Sequence, residues 1–218
     1  MSGKSPYEGA IELTVHSKFA SIINPLHCNT LRPLFGGALS CEIPECFTDV
    51  SSFRQVPDNQ EVFANAVTDQ CIIIELLQYV ENVEDAHSAH YFLNEIAWSN
   101  GCGTDEVMLI EEKEVPDFVT SSAIDAPHAT HIIVGDQRVA KKFKEGDDSK
   151  NAVRVYVGNI RLPCVTTDIV LSVSAPMHIN PASSSCNAKT FENTSEMAAT
   201  IFNQALQSFT ILDWSLFQ

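Results

Sequence analysis

Apolar and polar positions alternate along much of this chain, with two helical stripes between the alternating stretches. Residues 1–30 hold neither period for long: Ile11, Leu13 and Val15 alternate briefly, then Ile22 and Ile23 follow. They form an N-terminal extension of uncertain order ahead of a compact domain spanning 31–218. Phe35 to Cys41 is expected to form a short strand, its glycines allowing a bulge or close packing. Asp49 to Arg54 is expected to make one helical turn. Gln70 to Val80 is a dense apolar run with apolar residues on both parities, which suits a central strand buried on two faces.

Glu84 to Asn100 carries Ala86, Ala89, Leu93, Ile96 and Ala97 along one stripe, and Gly101 follows as a C-cap, so a helix is expected there. Glu106 to Val115 reads as a strand. Ala129 to Val134 and Gln137 to Lys141 suggest a hairpin across Gly135-Asp136. Val153, Val155 and Val157 alternate, and the apolar parity then moves to Ile160 and Leu162; that shift predicts a bulge at Gly158-Asn159. Ile169, Leu171, Val173 and Ala175 give the cleanest strand pattern in the chain. Asn193 and Glu196 have the spacing to cap a last helix with Met197, Ile201, Ala205 and Phe209 on its face. Leu212, Trp214, Leu216 and Phe217 form an apolar tail that must pack somewhere. Strand runs between two widely separated helices indicate an α+β domain, a largely antiparallel β-sheet with helices as layers.

Between the helical turn and the central strand lies Val56-Pro57-Asp58-Asn59-Gln60-Glu61-Val62-Phe63. Pro57 biases Val56 toward extended geometry and marks a change of direction. Asp58 is suited to accept backbone N–H bonds at the start of a turn, and Glu61 stands at capping-box spacing from it. A second role is open to the same acids, as a knob held by Val56, Val62 and Phe63 and shown to a cationic partner.

Charge narrows the field. With 28 acidic against 13 basic residues the formal net charge is −15, which argues against nucleic acid and anionic membrane as partners and leaves a basic protein surface or simple solubility. An apolar fraction of 44% is ample for a core, and 19% charged residues is low. Seven cysteines at 28, 41, 46, 71, 102, 164 and 186 contain no C-x-x-C, a pattern of reduced thiols rather than a disulfide framework. No apolar run is long enough to span a bilayer, and no signal peptide fits the N-terminus.

Candidate chemistry is sparse. The pairs His87/His90 and His128/His131 lack a neighbouring acid or cysteine that completes a metal-ligand set. Cys102 follows a helix C-terminus, the wrong end to stabilise a thiolate. Lys141, Lys142 and Lys144 read as a solvated edge. There is no P-loop, G-x-S-x-G, H-E-x-x-H or kinase signature. No cofactor is called for, and nothing requires an enzyme.

Arg32-Pro33-Leu34-Phe35-Gly36-Gly37-Ala38, Asp49-Val50-Ser51, Phe53-Arg54-Gln55 and the Val56–Phe63 string resemble the Ran guanine nucleotide release factors, the Mog-type nuclear import proteins. Ile73-Ile74-Glu75-Leu76-Leu77, Gly135-Asp136-Gln137-Arg138-Val139-Ala140-Lys141, Arg161-Leu162-Pro163 and Thr167-Asp168-Ile169 extend the resemblance. It implies a Mog/PsbP-like α/β/α sandwich: an antiparallel sheet flanked by helices on both sides. It also implies a monomer that binds the GTPase Ran, promotes guanine nucleotide release and supports nuclear protein import, working in nucleus and cytoplasm. Asp58 and Glu61, with Asn59 and Gln60 between them, are the Ran-contact residues it implies. The competing reading is an acidic adaptor or trafficking chaperone that holds a basic partner without affecting nucleotide exchange.

Overall fold

A computed structural model describes residues 28–114, 128–140 and 149–218. Residues 1–27, Lys141, Lys142, Lys144 and Asp147 lie outside the described residues, as does the Val115 end of the expected strand. Ten strands are described: β1 (Asn29–Leu34), β2 (Leu39–Pro44), β3 (Thr48–Asp49), β4 (Gln60–Ala64), β5 (Cys71–Gln78), β6 (Val107–Glu114), β7 (Ala129–Val139), β8 (Asn151–Leu162), β9 (Thr167–His178) and β10 (Thr210–Ile211). Two α-helices are described, α1 (Asp85–Ser99) and α2 (Thr194–Gln207). Seven strands form a sheet in the order β3-β4-β5-β9-β8-β7-β6, and β1-β2-β10 form a second, three-stranded sheet. Every described pairing is antiparallel. The first described strand begins at Asn29, two residues before Leu31.

Side-chain alternation sends the two faces of the large sheet into two separate cores. Ile72, Ile74, Ile160, Ile169, Leu171 and Val173 pack with Ala198, Ile201, Phe202, Ala205 and Leu206 of α2 and with Leu34, Leu39 and Ile43 of the small sheet. On the other face Ile133, Val155, Val157 and Val170 pack beneath Ala89, Phe92 and Leu93 of α1. The result is the α/β/α layering expected of the chain. Ile72 and Ile74 on one face of β5, with Leu77 packed on the other, account for its double-parity apolar run. Trp214, Leu216 and Phe217 pack against the larger core, and Leu212 remains exposed.

Four local expectations are corrected. Phe35–Gly37 is a tight turn, not strand, with positive φ at Phe35 (49°), Gly36 (68°) and Gly37 (93°); the strand begins at Leu39. The expected hairpin at Gly135-Asp136 is one continuous strand. Gly135 is there because Leu93 of α1 fills the space a Cβ would need, at 2.8 Å, and Asp136 makes a two-pronged ion pair with Arg154 of β8 at 2.7 and 2.8 Å. At Gly158-Asn159 the β8–β9 register runs without a break, and the irregularity lies at Ala152/Val153. What looked like a phase shift is the face of Val153, Val155 and Val157 continuing through the buried polar residues Asn159 and Arg161. Finally, Asn193 makes no side-chain cap; the Thr194 hydroxyl takes the Phe191 N–H at 2.8 Å instead.

Those buried polar residues fix the crossover into α1. Arg161 is 1% exposed and donates to the carbonyls of Val80 (2.7 Å) and Val83 (2.6 Å) and to the carboxylates of Asp85 (3.0 Å) and Asp168 (3.1 Å). Its guanidinium lies 4.0 Å from the centre of the Tyr79 ring. Asp168 is fully buried and accepts from the Val80 N–H (2.9 Å) and Asn159 (3.2 Å). With every prong engaged, the cost of burying the arginine's charge is offset, and removing one partner of the pair is strongly destabilising.

Candidate functional site

The acidic stretch forms a corner where the chain enters β4. Pro57-Asp58-Asn59-Gln60 is a β-turn closed by the Gln60 N–H on the Pro57 carbonyl at 2.9 Å. The turn is tied to β5 next door. Asn59 exchanges backbone and side-chain bonds with Leu76, at 2.9 and 3.2 Å, and Gln60 donates from its side chain to Glu75. Burial raises the carboxyl pKa of Glu75, with the Gln60 bond opposing.

The two acids of the stretch therefore have different employments, and the capping box is not formed. Strand begins at Gln60, directly after the turn, so Glu61 has no helix N-terminus to serve. Glu61 shares its side of β4 with buried Phe63 and turns inward, where its carboxylate accepts the Phe35 N–H at 2.6 Å. That bond clasps the left-handed Phe35–Gly37 turn to β4. Asp58 is exposed and makes no hydrogen bond or ion pair with another described residue. Of the four expected contact residues, Asp58 presents a carboxylate to solvent. Asn59 is exposed but bonded, and Gln60 and Glu61 are half-buried and bonded. The expected knob of two outward acids is thus one outward acid backed by one inward acid.

The corner is stiff on both sides. Before it, the Asp49 carboxylate accepts the Ser51 N–H at 2.8 Å and caps the Val50–Ser52 turn, and the N–H groups of Phe53 and Arg54 close on the Val50 carbonyl. Beside it, the N–H groups of Leu212 and Asp213 both reach the Ala38 carbonyl, 2.8 and 3.0 Å away, and attach the C-terminal segment to the Phe35–Ala38 turn. Strand alternation alone could have placed Glu61 inward, since E-V-F puts it two residues from Phe63. No sequence signal places Leu212 next to the same turn.

The remaining candidates stay apart from this corner. The Cys102 thiol donates to the Arg138 carbonyl, and burial, with Glu106 beside it, raises its pKa, so it is held as a thiol. No disulfide joins any of the seven cysteines, all of which fall among the described residues. Among the described residues no cluster of His, Cys, Asp and Glu could hold a metal ion, and no helix is long and apolar enough to cross a membrane.

A family model described as "Ran-interacting Mog1 protein" matches residues 32–176, more than half of the chain. The chain belongs to the Mog1 family. A zebrafish (Danio rerio) protein named Ran guanine nucleotide release factor is 42% identical over 191 residues, covering 85% of this chain and 98% of that protein. The human Ran guanine nucleotide release factor is 30% identical over 187 residues, covering 85% of this chain and 95% of its own. The fission yeast (Schizosaccharomyces pombe) nuclear import protein mog1 is 37% identical over 145 residues, 66% of this chain and 75% of that one. Among solved structures, the Saccharomyces cerevisiae Ran-binding protein Mog1p superposes with a TM-score of 0.66 at 22% identity, over 88% of this chain and 99% of that one. A point mutant of Mog1 gives 0.64 at 23% identity. These two structures establish the shared fold. The matched segment includes Arg161, Asp168, Asp136 and the whole acidic corner.

Proposed function

We propose that this Mog1-family protein binds the GTPase Ran through the Pro57–Glu61 corner and promotes release of its guanine nucleotide, in support of nuclear protein import. Relatives covering most of the chain are named Ran guanine nucleotide release factors, and that carries the assignment of partner and activity. The nuclear import names of other relatives support a place of action in nucleus and cytoplasm. What supports the corner as the contact is Asp58: an outward carboxylate on a turn fixed by Pro57, Asn59 and Gln60, in a protein of net charge −15.

The role is that of a regulator without a catalytic group of its own. A P-loop GTPase holds its nucleotide through a lysine and Mg²⁺ on the phosphates, so release means rearranging those groups. Asp58, carried on a turn whose backbone is already ordered, can engage a cation on the GTPase at little entropic cost. Glu61 acts at one remove, by holding the Phe35–Ala38 turn against β4. The test is the rate at which a fluorescent guanine nucleotide leaves Ran when the protein is added. Acceleration by the parent and its loss in Asp58→Lys are expected. Binding without any acceleration would leave the acidic-adaptor reading in its place.

A further inference from the structure

We infer that the Ran-contact surface reaches beyond the acidic turn to Phe53 and Leu212, two exposed apolar side chains on backbone tied to the same strand, together with the carboxylate of Asp213. The inference rests on the reading of the Pro57–Glu61 corner as the Ran-binding site.

Phe53 is 78% exposed, the highest exposure among the described large apolar residues, and Leu212 is 61% exposed. Isolated exposed apolar residues are ordinary, so exposure alone carries nothing. Their attachment does. Phe53 closes the capped Val50–Ser52 turn, which packs on β4, and precedes Asp58 by only five residues, at most about 19 Å of chain. Leu212 comes from the far end of the sequence, yet its N–H bonds the Ala38 carbonyl, and Ala38 closes the turn whose first N–H is held by Glu61. Both apolar side chains therefore sit on backbone that is hydrogen-bonded, through one tight turn each, to the strand bearing the acidic corner.

Asp213 continues the pattern. It is exposed, its own N–H shares the Ala38 carbonyl, and its carboxylate caps Ser215 at 2.9 Å; the Ser215 bonds hold its pKa below the usual aspartate value, so it is ionised near neutral pH. Two carboxylates and two apolar side chains on ordered backbone have the composition of a binding centre: an apolar anchor for affinity and charges for register. Most other exposed apolar residues lie elsewhere, Tyr91 and Trp98 on α1 among them. Met108, Leu109 and Ile110 are on β6, the opposite edge of the large sheet from β3 and β4. Val67 and Phe191 are beyond the other end of β4 and β5, joined there by the Lys189 N–H on the Val67 carbonyl. The partner this surface fits is a GTPase face with a cation beside an apolar patch.

The experiment is binding kinetics of the full chain against nucleotide-free Ran at low and high salt. Phe53→Ala and Leu212→Ser are each expected to speed dissociation by about tenfold or more, by the same factor at both salt concentrations. Asp58→Lys and Asp213→Asn should lose affinity by a factor that shrinks as salt rises. Phe191→Ala, exposed to 45% but remote, should bind as the parent does. Thermal melting of each variant confirms the fold, which these exposed positions should leave intact. If Phe53→Ala and Leu212→Ser dissociate like the parent while Asp58→Lys is weakened, the inference is overturned and the acidic corner stands alone. If Phe191→Ala loses as much as Phe53→Ala, the apolar effect is unspecific and the inference is equally overturned. If Asp58→Lys also binds like the parent, the corner is not the contact, and the inference goes with it.

Discussion

Replacing Glu61 by alanine separates its structural role from that of Asp58. The carboxylate of Glu61 is half-buried and accepts the Phe35 N–H at 2.6 Å, at the first of three consecutive residues with positive φ. A hydrogen bond to a charged group contributes about 1.5–3 kcal/mol; partial exposure places this one near the lower end, about 2 kcal/mol. For a chain of this length 1 kcal/mol moves the melting temperature by about 2–4 °C, so Glu61→Ala should melt about 4–8 °C lower. In urea the same loss should bring the midpoint down by about 1 M with the slope unchanged, taking a slope of about 2 kcal/mol per M. Glu61→Gln keeps an acceptor oxygen at the same place and should lose about half as much. Asp58→Ala, outward and without a described partner, should stay within about 0.5 kcal/mol of the parent. Affinity for Ran should fall in both alanine variants, with a stability loss in Glu61→Ala alone. A midpoint for Glu61→Ala equal to the parent's would refute the clasp and make Glu61 an ordinary surface acid.

Arg161→Met should cost about 3–5 kcal/mol, because it leaves the Asp168 carboxylate buried without its cation; a melting temperature within 2 °C or so of the parent's would contradict that. Gly135→Ala should cost about 1–3 kcal/mol in denaturant midpoint, since the new Cβ would stand 2.8 Å from Leu93 Cδ2 and 3.3 Å from the Met108 carbonyl oxygen. Glu75 has a raised folded-state pKa, so the folded form holds its proton more tightly than the unfolded chain. Its full stability is therefore present below the ordinary value of 4.5 and is lost as pH rises through the folded value. Glu75→Gln should accordingly match the parent in acid and exceed it near neutrality, measured as denaturant midpoint against pH; a gap that does not change with pH would count against buried ionisation as the cause.

Much of the scaffold could be read from the chain because burial follows alternation. Ile169, Leu171, Val173 and Ala175 lie on one face of β9, and Leu93 and Ala97 lie on the inward face of α1, as the periods require. Two of the misreadings share a cause: a residue whose local preference was outvoted by a tertiary neighbour. Gly135-Asp136 has turn chemistry, but Leu93 needs the missing Cβ and Arg154 needs the carboxylate. Asn159 and Arg161 broke the apolar pattern of β8 because their partners, Asp168, Val80 and Val83, are held on other elements. At the site, Asp58 was legible from its turn, whereas the inward direction of Glu61 needed the strand assignment of Gln60–Ala64. The nearness of Leu212 to that turn depends on bonds between residues 174 positions apart and is not a local property at all.

The central claim, release of nucleotide from Ran, is tested most directly by measuring affinity for Ran in three states: GTP-bound, GDP-bound and empty. Linkage requires that whatever factor by which this protein weakens nucleotide binding, nucleotide weakens its binding by the same factor. Driving the nucleotide-bound population from 99:1 to 1:99 takes about 5.5 kcal/mol of such differential affinity. The expected result is tightest binding to empty Ran, and dissociation of the preformed complex when GTP and Mg²⁺ are titrated in. Equal affinity for all three states would contradict the account.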